Sequence, residues 1–210
     1  SSIGQRAEMG EEREGGTGVQ SAEERRQHES CEEQLARIRL NPNVLYLQKA
    51  MKKKGCGGAA LRLQCVQCAP LGAAGAEAFF SSDGAVSICE DQQSLVSNST
   101  EAAVLHELVH AYDFCRAELT PTCEEVACTE IRASLLSGEC GFTKELARGQ
   151  NGVRKQLQRC VRRRVELSMA MHPECGGLRG EKAVSDVWEA CYADREPFGT
   201  MPRHMSAPQQ

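Results

Sequence analysis

His106-Glu107-Leu108-Val109-His110 holds three side chains whose types and spacing suit metal-dependent hydrolysis. On a helix, residues four apart share one face, so both imidazoles reach one ion from the same side. Glu107 sits about 100° round the helix from His106. There a carboxylate can take a proton from water and later hand it to a leaving amine. A metal held in this way lowers the pKa of water from 15.7 toward ~7. Glu130, twenty residues beyond His110, falls on the next predicted helix. Two helices joined by a loop can present His106, His110 and Glu130 to one zinc ion. Glu124 and Glu125 compete for the third place, and equally suit a helix N-terminus, whose dipole favours acids. Asp113 lies on the histidine face one turn beyond His110, suited to orienting a ligand rather than binding the metal.

The elements that must carry these residues follow from local signals. Residues 31–40 have helical spacing, and Asn41-Pro42 starts a second helix to about Lys54, closed by Gly55, Gly57 and Gly58. Residues 61–66 read as a short strand. Residues 76–80 and 85–89 flank Ser81-Ser82-Asp83-Gly84 and read as a hairpin. The strand 85–89 is the first choice for an edge that could pair with an extended peptide beside the metal, with 76–80 second. Asn98 with Glu101 three residues on fits a capping pattern for the metal helix, which reaches about Cys115. The same Asn98-Ser99-Thr100 matches a glycosylation acceptor, a weaker reading with no secretory signal in view. Further helices are expected over 122–137, from Thr143 to Met171, and over 181–193. Strands followed by helices predict an α+β fold with a small antiparallel sheet and a metal-binding helix pair.

Composition narrows the class. The chain has 210 residues and a formal charge of −4, enough for one domain, and this near-neutral balance gives no case for nucleic acid as a partner. Residues 1–29, rich in Gly, Glu, Arg, Gln and Ser, are expected to be a disordered tail, with a metalloprotease domain over 30–200 and a short tail over 201–210. No run of ~18 apolar residues exists to span a bilayer, and no apolar signal-peptide core is seen. The chain starts without Met, so residues can be missing before it. Twelve cysteines, with only Cys65 and Cys68 in a C-x-x-C, point to disulfides rather than a four-cysteine zinc site. Bridges at Cys115, Cys128 and Cys140 are expected to hold the two metal helices in register. The six positive charges in RKQLQRCVRRR, 154–164, form either a solvated helix face or a patch attracted to anionic lipid.

Residues 105–116, LHELVHAYDFCR, with 127–140, ACTEIRASLLSGEC, resemble the mitochondrial inner membrane protease family that assists ATP synthase assembly. Segment 84–93, GAVSICEDQQ, is similar to the strand before that family's metal helix, and 187–198, VWEACYADREPF, to its final segment. The resemblance covers 31–200. The His-His-Glu spacing also resembles thermolysin-like gluzincins, whereas the Gly and third His of metzincins are missing. The resemblance implies a zincin-like, gluzincin-type metalloprotease domain stapled by disulfides. It implies a protein of the intermembrane space, peripheral to the inner membrane and trapped there by oxidative folding. Implied partners are a peptide or membrane-protein precursor and ATP synthase assembly components. Family members carry about ten cysteines, so one pair here is expected to be extra or unpaired. Two functions remain open at this point: a zinc endopeptidase, and a disulfide-stapled assembly factor whose metal site is dispensable. An intact Glu107 favours the first, because a scaffold has no chemical need for it.

Overall fold

The computed structural model describes residues 21–56, 62–72, 75–81, 84–92, 99–117, 122–150 and 155–202. The chain starts with α1 (Ala22–Ile38) and α2 (Pro42–Lys53), followed by strands β1 (Arg62–Val66), β2 (Ala78–Phe80) and β3 (Ala85–Cys89). Helices α3 (Ser99–Arg116), α4 (Cys123–Leu136), α5 (Phe142–Ala147), α6 (Gln156–Met171) and α7 (Leu178–Ala193) complete it. The result is a mixed α+β architecture.

Helix α1 begins earlier than composition predicts, so residues 22–29 belong to a helix rather than to the expected tail. The reason is local. Ser21 accepts from the Glu24 backbone N–H and Glu24 accepts from that of Ser21, a reciprocal cap that composition alone hides. The helix then buries Cys31, Leu35 and Ile38, and His28 reaches Glu90 at 2.6 Å. The rest of the expected N-terminal tail and residues 203–210 lie outside the described residues. Asn41 caps α2 through its side-chain oxygen, with Pro42 in the first turn. Its amide donates to Glu101 at 2.8 Å, joining α2 to α3. Asn98, expected as the cap of that helix, falls outside the described residues.

The three strands are ordered β1-β3-β2. The β2–β3 pair is antiparallel, as a hairpin requires, with Phe80 opposite Val86. The β1–β3 pair is parallel, so the sheet is mixed and not antiparallel as expected. A parallel pair needs a long crossover, and the segment after Val66, which includes β2, supplies it. Strand β3 is thereby central and buried throughout. It is paired on both sides, so 85–89 cannot be the peptide-docking edge. The edge strands are β1 and β2, and β2 is the one that packs against α3 and meets Glu107.

Helix α4 is the hub. Thr122 caps it by accepting from the Glu125 N–H, and Gly138, at φ 78°, takes the left-handed backbone that ends it. It packs against α3, α6 and α7, and α3 in turn covers β2 and β3. The helix expected from Thr143 to Met171 is instead two, α5 and α6, broken around Gly149, which sits at φ 77°. All twelve cysteines are bridged: Cys31–Cys65, Cys56–Cys115, Cys68–Cys89, Cys123–Cys175, Cys128–Cys191 and Cys140–Cys160. No bridge joins α3 to α4 directly, contrary to expectation. Cys115 ties α3 to the end of α2, and Cys123 and Cys128 tie α4 to Cys175 and to α7. The contact between α3 and α4 is left to packing and polar contacts.

Candidate metal centre

Helix α3 presents His106, Glu107 and His110 on a buried surface, at 6%, 7% and 1% exposure. The apolar residues around them, Val104, Leu105, Leu108 and Val109, are core side chains and fix the helix rotation. The two imidazoles meet edge to face with centroids 4.8 Å apart. Helix α4 brings Glu130 to them. His106 Nε2 lies 3.5 Å from Glu130 Oε2, and His110 Nε2 lies 3.6 Å from Glu130 Oε1. The three groups offer ligand atoms within 4.8 Å of one another. Glu124 and Glu125 stay in the first turn of α4, away from this cluster.

Three of the converging atoms, His106 Nε2, His110 Nε2 and Glu130 Oε2, are buried and have no hydrogen-bond partner. Buried polar atoms left in this state are costly, and three aimed at one point fit a cation. Charge points the same way. Burial lowers the His106 pKa, but the Glu139 and Glu130 carboxylates outweigh it and lift the ring to about 10. A field that strongly favours a proton also favours a metal cation. Burial holds the His110 ring down at about 4, neutral as a ligand must be. Burial raises Glu130, yet the imidazoles win and hold it at about 2.

His110 is oriented from behind. Its Nδ1 lies 2.9 Å from the Thr129 hydroxyl, which donates to Asp113 Oδ2 at 2.9 Å. The hydroxyl's proton is committed to the carboxylate, so Nδ1 carries the imidazole proton and Nε2 keeps its lone pair. Asp113 is gripped in turn by Arg132 Nε, 3.0 Å from each oxygen, and by Arg116 Nε at 3.0 Å. Arg132 is fully buried and also meets Asp194 at 2.6 Å and the Glu196 carbonyl at 2.6 Å. Asp113 therefore reaches the histidine through Thr129. Thr129, Arg132 and Glu139 have no role in a reading by motif. All three fall within the segment 127–140 that carries the family resemblance, but the resemblance assigned them no role.

Glu107 borders a cleft of about 310 Å³ lined by Ala76, Ala78, Ala102, His106, Leu167 and Met171, among others. Its Oε2 accepts the Phe80 backbone N–H at 3.0 Å, fixing it against the β2 edge. Burial pushes its carboxyl up to about 7, although neighbouring His106 pulls it down. A carboxylate poised there exchanges protons readily near neutral pH. Residues 29–199 match the family described as the Peptidase M76 family.

The chain belongs to the peptidase M76 family.

It is 35% identical over 173 residues to the mitochondrial inner membrane protease atp23 of Emericella nidulans, covering 80% of this chain and 70% of that protein. To the mitochondrial inner membrane protease ATP23 homolog of Homo sapiens it is 33% identical over 181 residues, covering 84% and 72%. The Xenopus laevis homolog is 35% identical over 165 residues, covering 77% and 68%. No solved structure matches. Among the described residues, no helix of this M76 peptidase is long and apolar enough to cross a membrane.

Proposed function

We propose that this chain is a zinc endopeptidase of the mitochondrial intermembrane space, acting at the inner membrane on an extended segment of a membrane-protein precursor. One such precursor would be an ATP synthase subunit. The observation that carries the reading is the convergence of His106 Nε2, His110 Nε2 and the Glu130 carboxylate beside Glu107. The buried neutral-nitrogen and carboxylate set fits the His₂Glu class of catalytic zinc. Asp113 and Thr129 orient His110. Zinc bound there would supply Lewis acidity, acidifying water and polarising the scissile carbonyl.

The chain's own residues do the rest. Glu107 takes the proton released from water and returns it to the leaving amine. Its Oε2 is held by Phe80 N–H, which leaves Oε1 for that proton. The β2 edge cradles the substrate. Ser81 N donates to Ala85 O and Cys89 N to Glu77 O, so residues 77, 79 and 81 direct their backbone groups at β3. By alternation Ala78 and Phe80 direct theirs outward. Phe80 N is taken by Glu107, so the N–H and C=O of Ala78, on the cleft wall, remain for an incoming strand. Leu167 and Met171, 54% and 68% exposed along the cleft, favour apolar substrate side chains. Such side chains abound in a membrane-protein precursor.

The test is metal content by mass spectrometry together with cleavage of an extended apolar peptide. The wild-type chain should hold one zinc and cleave. Glu107→Gln should hold zinc equally and lose about 10²–10⁴-fold in rate. Cleavage by Glu107→Gln at the wild-type rate, or full zinc loading of His110→Ala, would refute the assignment.

A further inference from the structure

His106 differs from His110 in how its second nitrogen is treated. His110 Nδ1 meets a neutral hydroxyl, whereas His106 Nδ1 faces a carboxylate, Glu139 Oε1, at 3.3 Å. Glu139 follows Gly138, beyond the end of α4, and is 6% exposed. Both facing atoms, His106 Nδ1 and Glu139 Oε1, are buried and neither has a hydrogen-bond partner, so each is the nearest group able to satisfy the other. The other oxygen of Glu139 is taken by Arg164 of α6, whose Nε lies 3.1 Å and Nη2 2.9 Å from Oε2. The Arg148 guanidinium donates to the Glu139 backbone carbonyl at 2.7 Å, fixing the loop that carries it. The neighbouring Cys140 is bridged to Cys160 of α6, one helical turn before Arg164. Carboxylate, arginine and disulfide thus form one assembly between the end of α4 and α6.

We infer that Glu139, held by Arg164, is a positioning residue for His106: it accepts the Nδ1 proton and aims Nε2 at the metal. The inference rests on His106 being a metal ligand. A buried histidine can rotate about its χ2 or present either nitrogen, and only one arrangement points Nε2 at Glu130. A carboxylate on Nδ1 selects that tautomer, fixes the ring plane and makes the nitrogen a better donor to a cation. It also completes the charge balance. Glu130 and Glu139 supply two negative charges around a divalent ion held by two neutral rings, while Arg164 satisfies the Glu139 oxygen that faces away. The two ligand histidines are therefore oriented by separate supports: Thr129 and Asp113 within the α3–α4 contact, and Glu139, just beyond α4, held by Arg164 of α6.

The experiment measures zinc affinity by competition with a chromophoric chelator for the oxidised wild-type chain and for His106→Ala, Glu139→Ala and Glu139→Gln. Melting curves and circular dichroism are recorded on each. Loss of the orienting carboxylate should weaken zinc binding about 10–100-fold in Glu139→Ala. Glu139→Gln, which keeps an oxygen acceptor without the charge, should lose less. If His106→Ala binds zinc as tightly as wild type, the metal-site reading itself fails. If His106→Ala loses zinc while folded Glu139→Ala stays within twofold of wild type, the positioning role fails alone. A measurement on the wild type covers variants that do not fold. Long-range 15N–1H correlation spectra of the zinc-loaded chain should show His106 protonated at Nδ1, with that proton slow to exchange. A ring with its metal on Nδ1, or with a rapidly exchanging Nδ1 proton, would overturn the inference.

Discussion

Thr129→Val removes one hydroxyl and almost no volume, so its effect isolates the support behind His110. Thr129 is 3% exposed, and its hydroxyl makes two contacts of 2.9 Å, one with His110 Nδ1 and one to Asp113 Oδ2. Water cannot replace it at that depth. The bond to the carboxylate is worth ~1.5–3 kcal/mol and the one to the neutral imidazole ~1 kcal/mol, with Nδ1 left buried and unsatisfied. Asp113 keeps Arg132 and Arg116, which limits its share of the loss. The expected destabilisation is therefore about 2–4 kcal/mol. The imidazole, free to change tautomer or tilt, should also bind zinc about 10–100-fold more weakly. Urea denaturation of the oxidised protein reads the first quantity and chelator competition the second. Thr129→Ser, which keeps the hydroxyl, should restore most of both. A valine variant with wild-type stability and zinc affinity would mean that the Asp113–Thr129–His110 chain orients nothing.

Ala78→Pro removes the outward N–H of β2 without touching a β2–β3 ladder bond, so cleavage should fall at least tenfold while zinc content holds. Unchanged cleavage in the folded variant would reject β2 as the cradle. Burial raises the Glu145 carboxyl, but hydrogen bonds from Arg163 and Arg148 outweigh it and hold it below 4.5. A depressed folded value means stability that is present above pH 4.5 and lost as pH falls through the folded pKa. Glu145→Gln should thus lower stability by about 1–2 kcal/mol at pH 7, with the gap to wild type closing in acid melts below pH 4.5. A gap independent of pH would contradict it. Cys128–Cys191 spans 63 residues, but the Cys123–Cys175 bridge shortens the loop it closes, so chain entropy predicts a loss of about 3 kcal/mol in the Cys128→Ala/Cys191→Ala double variant. Denaturation under non-reducing conditions measures it, and a change under 1 kcal/mol would show that the bridge adds little to a contact already formed by packing. Alkylation of the wild-type chain without reductant should label none of the twelve cysteines.

Legibility in the sequence tracked how local the physics was. The helix from Asn41-Pro42, the hairpin around Gly84 and the histidine pair at i, i+4 depend on neighbours within a few residues, and each stands where its local signal put it. The break between α5 and α6 was also local, since Gly149 carries it, yet the helical spacing on both sides concealed it. The start of α1 was local as well: Ser21 with Glu24 three residues on has the capping-box spacing, but the polar composition around it outweighed that signal. Glu130 was reachable through the spacing of a known metal class. Glu139 was not, because nothing within its own loop distinguishes a carboxylate aimed at His106 from one in water.

Sequence by itself determined the chemistry available: which side chains can hold a cation, which carboxylate can move a proton, and that most of the twelve thiols are oxidised. Only the tertiary structure decided the partners. The pairing of six disulfides, the central place of β3 and hence β2 as the open edge, and the distinct supports behind His106 and His110 all join residues far apart in the chain. Such contacts are selected by the packing of α3, α4 and α6 around a shared core, and no local signal encodes which distant surfaces will bury each other.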